Sequence, residues 1–213
     1  MKLIVKRTFI VFLTPLVLFA LLLASVLVYH RVTRNIHVVI PGQIYRSAQL
    51  NHAYLKTVTQ RFHIQSIINL RGPWETNHWY RVEQRFTRER GIHYYSIRFS
   101  AYYLPSKEKI RTLVHILQIA PKPLILHCEG GADRTGMASA ISLILFKKDV
   151  DITEIKAAIS WRYNVISSWS VGYQMLRNYF AWLKKNHLSQ SRSNFLKWLY
   201  SNEAMKPYHG FFL

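Results

Sequence analysis

The 213-residue sequence predicts an α/β fold, with a central, largely parallel sheet flanked by helices and one transmembrane helix ahead of it. Three observations predict it. From residue 36 onward short apolar strand patterns alternate with helical periodicities, which is how parallel sheets with helical faces are built. The run Leu124-Ile125-Leu126 enters a glycine loop, and a helical pattern of small and apolar residues leaves it. Thr8 to Tyr29 is almost continuously apolar, broken only by Pro15, and as a helix would be about 33 Å long.

Taken in order, the elements divide the chain into an anchor with basic flanks (1–34), a globular domain (35–190) and a C-terminal helix with tail (191–213). Lys2, Lys6 and Arg7 precede the apolar run, and His30, Arg31 and Arg34 follow it. A basic N-terminus kept inside would send the domain outside the cytoplasm. A cleaved signal peptide is the alternative, but no clear small-x-small site ends the run. Ile36–Ile40 and Ile44–Arg46 read as strands around a Pro41-Gly42 turn. Asn51 caps a helix over His52–Arg61 with Tyr54, Leu55 and Val58 on one face. Ser66–Leu70 is a buried strand. Trp74–Arg90 reads as a helix with Trp79, Val82 and Phe86 inward, ended by Gly91. Ile92–Ile97 is the next strand, and Ser106 caps a helix whose Ile110, Leu113, Val114 and Leu117 form its core face. After the glycine loop come helical patterns at 135–147, 153–161, 170–186 and 193–202. The tail residues Phe195, Trp198, Leu199, Tyr200, Phe211 and Phe212 are expected to pack on the domain or on a membrane.

The glycine loop carries the chemistry. It reads His127-Cys128-Glu129-Gly130-Gly131-Ala132-Asp133-Arg134-Thr135-Gly136, and Cys128 is the only cysteine in the chain. A strand, a tight loop and a helix start aim backbone N–H groups at an anion. A helix N-terminus and a guanidinium both favour a thiolate, the nucleophilic form of cysteine. The planar fork of Arg134 can hold two phosphoryl oxygens at once. Gly130, Gly131 and Gly136 permit positive φ and close approach to a tetrahedral oxyanion. Thr135 can set a hydroxyl near the sulfur. The pattern points to attack by sulfur on phosphorus and hydrolysis of a phosphocysteine by water. Nucleotide-binding loops fit poorly, since no Gly-Lys-Ser/Thr and no spaced GxGxxG is present.

The decapeptide resembles the Cys-x5-Arg-Ser/Thr loop of the protein tyrosine and dual-specificity phosphatase superfamily. It is most similar to small bacterial, membrane-anchored members with Asp directly before Arg. Gly42–Gln49, Ile68–Gly72 and Ser160–Tyr163 also resemble that group, so the similarity spans residues 36 to about 187. It implies a cysteine-phosphatase-like fold and Cys128, Arg134 and Asp133 as the catalytic set. Glu129, Gly130, Gly131, Ala132, Thr135 and Arg71 would bind substrate, with His127 and Gly136 in support. Together with the apolar run it implies a bacterial inner-membrane location, and the basic N-terminus points to the periplasmic side for the domain.

Two departures stand out. Relatives commonly carry a general-acid aspartate on a mobile loop, which would fall at Arg98–Pro105, and that stretch holds no Asp or Glu. Glu129 replaces the Lys that relatives often have. Asp133 is the candidate replacement acid, since a leaving alkoxide needs a proton. Its alternatives are pairing with a neighbouring base or capping the helix. Glu129 is a weaker candidate. Arg71, just past a strand end, is either a second phosphate contact or a surface arginine, and Arg162 either frames the pocket or forms a structural ion pair.

Charge and composition narrow the partners. A net charge of +19, with no acid before Glu75, suits anionic substrates or lipid surfaces and nucleic acid less specifically. The ten histidines show no metal-ligand spacing, and no cofactor is expected. The expected substrate is a phosphoprotein or an anionic phospholipid headgroup such as phosphatidylglycerophosphate. A phosphate-binding pseudophosphatase, serving as sensor or adaptor, is the alternative suggested by the acid-free loop.

Overall fold

Five strands form one sheet in the order β1-β2-β5-β3-β4, where β1 is His37–Ile40, β2 Ile44–Ser47, β3 Ser66–Asn69, β4 His93–Ser96 and β5 Leu124–His127. The computed structural model describes residues 2–165, 167 and 169–207. The first two strands pair antiparallel, and every other pairing is parallel. The predicted central, largely parallel sheet is therefore present, with helices flanking it. The helices of the chain are α1 (Lys2–Val32), α2 (His52–Arg61), α3 (His78–Glu89), α4 (Lys107–Ile119), α5 (Asp133–Phe146), α6 (Ile152–Ala157), α7 (Val171–Lys185) and α8 (Arg192–Tyr200).

The chain divides into two compact units, Met1–Thr33 and Arg34–Leu213. The first consists of α1. Among the described residues no helix is long and apolar enough to cross a membrane. This overturns the transmembrane anchor, and with it the inner-membrane location, the periplasmic side and the membrane as a partner. The apolar run lies in α1, but Pro15 stands inside that helix. The helix continues through Pro15 without a break.

In the second unit, local signals and burial agree for most elements. The Asn51 carboxamide accepts from the Tyr54 N–H to start α2, and Ser106 accepts from Lys109 N–H to start α4. The α4 residues Ile110, Leu113, Val114 and Leu117 are all buried, as their spacing predicts. The strand β5 is buried throughout because β2 and β3 flank it and helices cover both faces. In α8, Phe195, Trp198 and Leu199 pack inward, whereas Tyr200 is exposed. Phe211 and Phe212 lie outside the described residues.

One helix departs from expectation. The inward residues of α3 are Tyr80, Glu83, Phe86 and Thr87, while Trp79 and Val82 are half-buried. The face is rotated because two polar residues point inward, Glu83 and Thr87. Glu83 has partners there, described next.

Candidate active site

Parallel register brings three strand ends level. Ser47, His127 and Asn69 are direct neighbours across β2, β5 and β3. The loops that follow these residues therefore emerge together at the carboxyl edge of the sheet, where open α/β sheets bind ligands. Cys128 follows β5, Gln49 follows β2 and Arg71 follows β3. All three lie beside one loop.

The Cys128 loop is fixed on both sides. Gln49 N–H donates to Glu129 O at 3.0 Å, and Leu70 N–H donates to His127 O at 2.9 Å. Gly131 has φ +68°, and a Cβ there would come within 2.6 Å of Ala48 N. Glycine is required at that point by both conformation and space. Of the three glycines expected to use positive φ, only Gly131 does so. Gly136 lies inside α5, where a Cβ would sit 3.2 Å from Ala158 O.

Cys128 is buried, with 3% of its surface exposed. Arg134 is half-buried, and its buried Nε has no partner among the described residues. Thr135 is buried, and its hydroxyl is likewise unpartnered. Asp133 is half-buried in the first turn of α5. No side chain caps that helix, and no ion pair among the described residues engages Asp133. Both alternatives to the acid, cap and ion pair, therefore lack a contact among the described residues. Glu129 is exposed and meets Arg71, Nη2 to Oε2, at 3.5 Å.

Arg71 belongs to this rim. Its guanidinium lies 3.9 Å from the ring centre of Trp79 and donates to Gln49 Oε1 at 3.2 Å. Burial lowers its pKa from the ordinary arginine value, with Glu129 opposing and Arg134 reinforcing the change. A second cation near Arg134 is the arrangement a dianionic group would neutralise. Arg162 makes no ion pair among the described residues; its guanidinium stands 5.7 Å from the Tyr163 ring.

Sequence reading missed a buried polar network under His127. Its Nε2 stands 3.1 Å from Glu83 Oε1, and both side chains are almost fully buried. Tyr94 donates to Glu83 Oε2 at 2.8 Å, Gln49 donates to Oε1 at 3.2 Å, and Asn69 donates to Tyr94 Oη at 3.0 Å. Burial first, then the Glu83 carboxylate, push the Tyr94 phenol far above its usual range. Among the described residues no cluster of His, Cys, Asp and Glu could hold a metal ion.

The acid-free loop after β4 is ordered by its own contacts. Tyr102 and Tyr103 N–H groups donate to Ser100 Oγ at 3.0 and 3.1 Å, and both rings are exposed. Arg98 donates to Pro73 O and lies 4.5 Å from the Trp74 ring centre.

A buried cysteine, an arginine six residues on and a helix N-terminus at the carboxyl edge of a parallel sheet define a cysteine-type phosphatase. The chain belongs to the tyrosine phosphatase family, whose model matches residues 29–157. Solved structures agree in fold. The core catalytic domain of the PP-IP phosphatase SIW14 from S. cerevisiae is similar with a TM-score of 0.55 and 21% identity, covering 72% of this chain and 93% of that one. Tk-PTP, solved as a mutant form, gives 0.52 and 16% identity, covering 71% and 95%. TpbA from P. aeruginosa gives 0.50 and 17%, covering 62% and 76%. No curated protein sequence matches this one.

Proposed function

We propose that this phosphatase hydrolyses phosphotyrosine in phosphoproteins through a phosphocysteine on Cys128. The observation that carries the reading is the depth of Cys128, which is buried at the loop floor while Arg71 and Glu129 stand at the rim. A nucleophile set low is reached more easily by a phosphate on a long, flat aryl stem than by one on a short alkyl stem. Trp74, exposed and stacked under Arg98, offers such a stem an aromatic surface. In this reading Sγ attacks phosphorus, Arg134 binds the equatorial oxygens, and Asp133 protonates the leaving oxygen. The loop backbone from Glu129 to Ala132, with Thr135 and Arg71, binds the phosphoryl group.

Release of phosphate from phosphotyrosine peptides, phosphoserine peptides and phosphatidylglycerophosphate in detergent micelles tests this choice. The expected order of kcat/KM places phosphotyrosine first. A larger value for the phospholipid would replace the phosphoprotein reading with the headgroup one. Against the pseudophosphatase alternative, the loop retains both Cys128 and Arg134.

A further inference from the structure

Two buried polar side chains outside the Cys128 loop converge on its inner face. Arg46, at 1% exposure, donates through Nη2 to Gly131 O at 2.8 Å and, at a longer 3.5 Å, to Ala132 O. Its Nη1 donates to Ala158 O at 2.7 Å, and its guanidinium lies 3.8 Å from the Tyr163 ring centre. Asn35, fully buried, donates through Nδ2 to Gly130 O at 3.1 Å, Gly131 O at 3.2 Å and Tyr163 O at 3.1 Å. Two successive loop carbonyls, those of Gly130 and Gly131, thus point to the same pair, while the next, Ala132 O, accepts chiefly from Gly136 N–H at 2.6 Å in the first turn of α5.

The consequence follows from peptide geometry. In a trans peptide the C=O of one residue and the N–H of the next point in opposite directions. With the carbonyls of Gly130 and Gly131 turned inward by this pair, and that of Ala132 directed along α5 by Gly136 N–H, the N–H groups of Gly131, Ala132 and Asp133 turn the opposite way. None of these three N–H groups has a backbone partner among the described residues. They face the side where an anion on Cys128 would sit.

We propose that Arg46 and Asn35 are positioning residues for phosphoryl transfer: by holding the Gly130 and Gly131 carbonyls on the buried face, they present the Gly131 and Ala132 amides to the phosphoryl oxygens. The assignment rests on the phosphocysteine reading above. Keeping a guanidinium in this place has a cost. Burial lowers its pKa to about 10, opposed by Tyr163 and by Cys128. A folded-state pKa below the unfolded one means that the charged form destabilises the fold at neutral pH. An apolar side chain would be cheaper there, but would leave inward carbonyls unpaired.

Arg46→Lys and Asn35→Ala, made in the full chain, test it. Lysine keeps the charge and loses the fork, so it separates geometry from electrostatics. For each variant three quantities are read: kcat/KM for p-nitrophenyl phosphate, inhibition by orthovanadate, and the burst amplitude that counts active sites. The expected result is a fall in kcat/KM of about 10- to 100-fold, a parallel rise in the vanadate inhibition constant, and an unchanged burst amplitude. A reduced burst amplitude with unchanged vanadate inhibition would make the pair merely structural and overturn the proposal, as would kcat/KM within twofold of the parent. Failure of both variants to fold would also overturn it. Absence of any burst in the parent would instead count against the phosphocysteine reading.

Discussion

The guanidinium of Arg71 stands 3.5 Å from the carboxylate of Glu129 at the rim of the Cys128 loop. If Arg71 contacts the phosphoryl group as proposed, the pair is an internal competitor for substrate. A phosphoryl dianion and the Glu129 carboxylate both seek the same fork, and the carboxylate is largely exposed. Glu129→Gln is expected to lower KM for an aryl phosphate by about twofold to fivefold, the size of an exposed ion pair. Arg71→Ala is expected to raise KM about 10-fold with a smaller change in kcat. Steady-state kinetics of the two variants check this. Unchanged KM in Arg71→Ala would return that residue to the role of a surface arginine.

Glu83 couples α3 to His127, the last residue of β5. Glu83→Ala leaves the Tyr94 hydroxyl, the Gln49 amide and the His127 ring without a buried acceptor. The expected loss is about 1–3 kcal/mol of stability, read from urea unfolding. Glu83→Gln retains an acceptor oxygen and is expected to lose less. Equal losses in the two variants would show that the network contributes packing alone.

Alkaline pH should weaken the fold, and the sign follows from Tyr94. Burial and Glu83 hold its phenol protonated in the folded state, whereas the unfolded chain releases that proton near pH 10. The raised folded-state value contributes stability that is complete below about pH 10 and declines above it, at up to about 1.4 kcal/mol per pH unit for one group. Tyr94→Phe is expected to make that decline shallower. It will not remove it, since burial pushes Tyr179 up to about 12 and acts in the same direction. Urea midpoints from pH 8 to pH 11 check the slopes.

Asp133 is tested by the leaving group. If it protonates the departing oxygen, Asp133→Asn should slow alkyl-like phosphate esters by about 10²- to 10⁴-fold and good aryl leaving groups far less. Equal losses on both substrates, together with a lower melting temperature, would assign Asp133 a structural part.

The strand positions, though not their order in the sheet, were legible because burial and periodicity agree where side chains are apolar. The core face of α4 and the capped start of α2 emerged from spacing alone. The face of α3 did not. A helical reading turns acids outward, and Glu83 points inward to meet His127. The glycine loop was legible as a string, but the groups behind it were not. Asn35 and Arg46 lie far from Cys128 in sequence, and nothing local marks a buried arginine.

The central claim is that Cys128 carries the phosphoryl group during turnover. Rapid acid quench of the full chain with p-nitrophenyl phosphate, followed by intact-mass and peptide mass spectrometry, tests it directly. The account predicts one added phosphoryl group on the peptide containing Cys128, absent in Cys128→Ser and accumulating to a different level in Asp133→Asn. Turnover by the parent with no such adduct at any quench time, or turnover retained by Cys128→Ser, would contradict it.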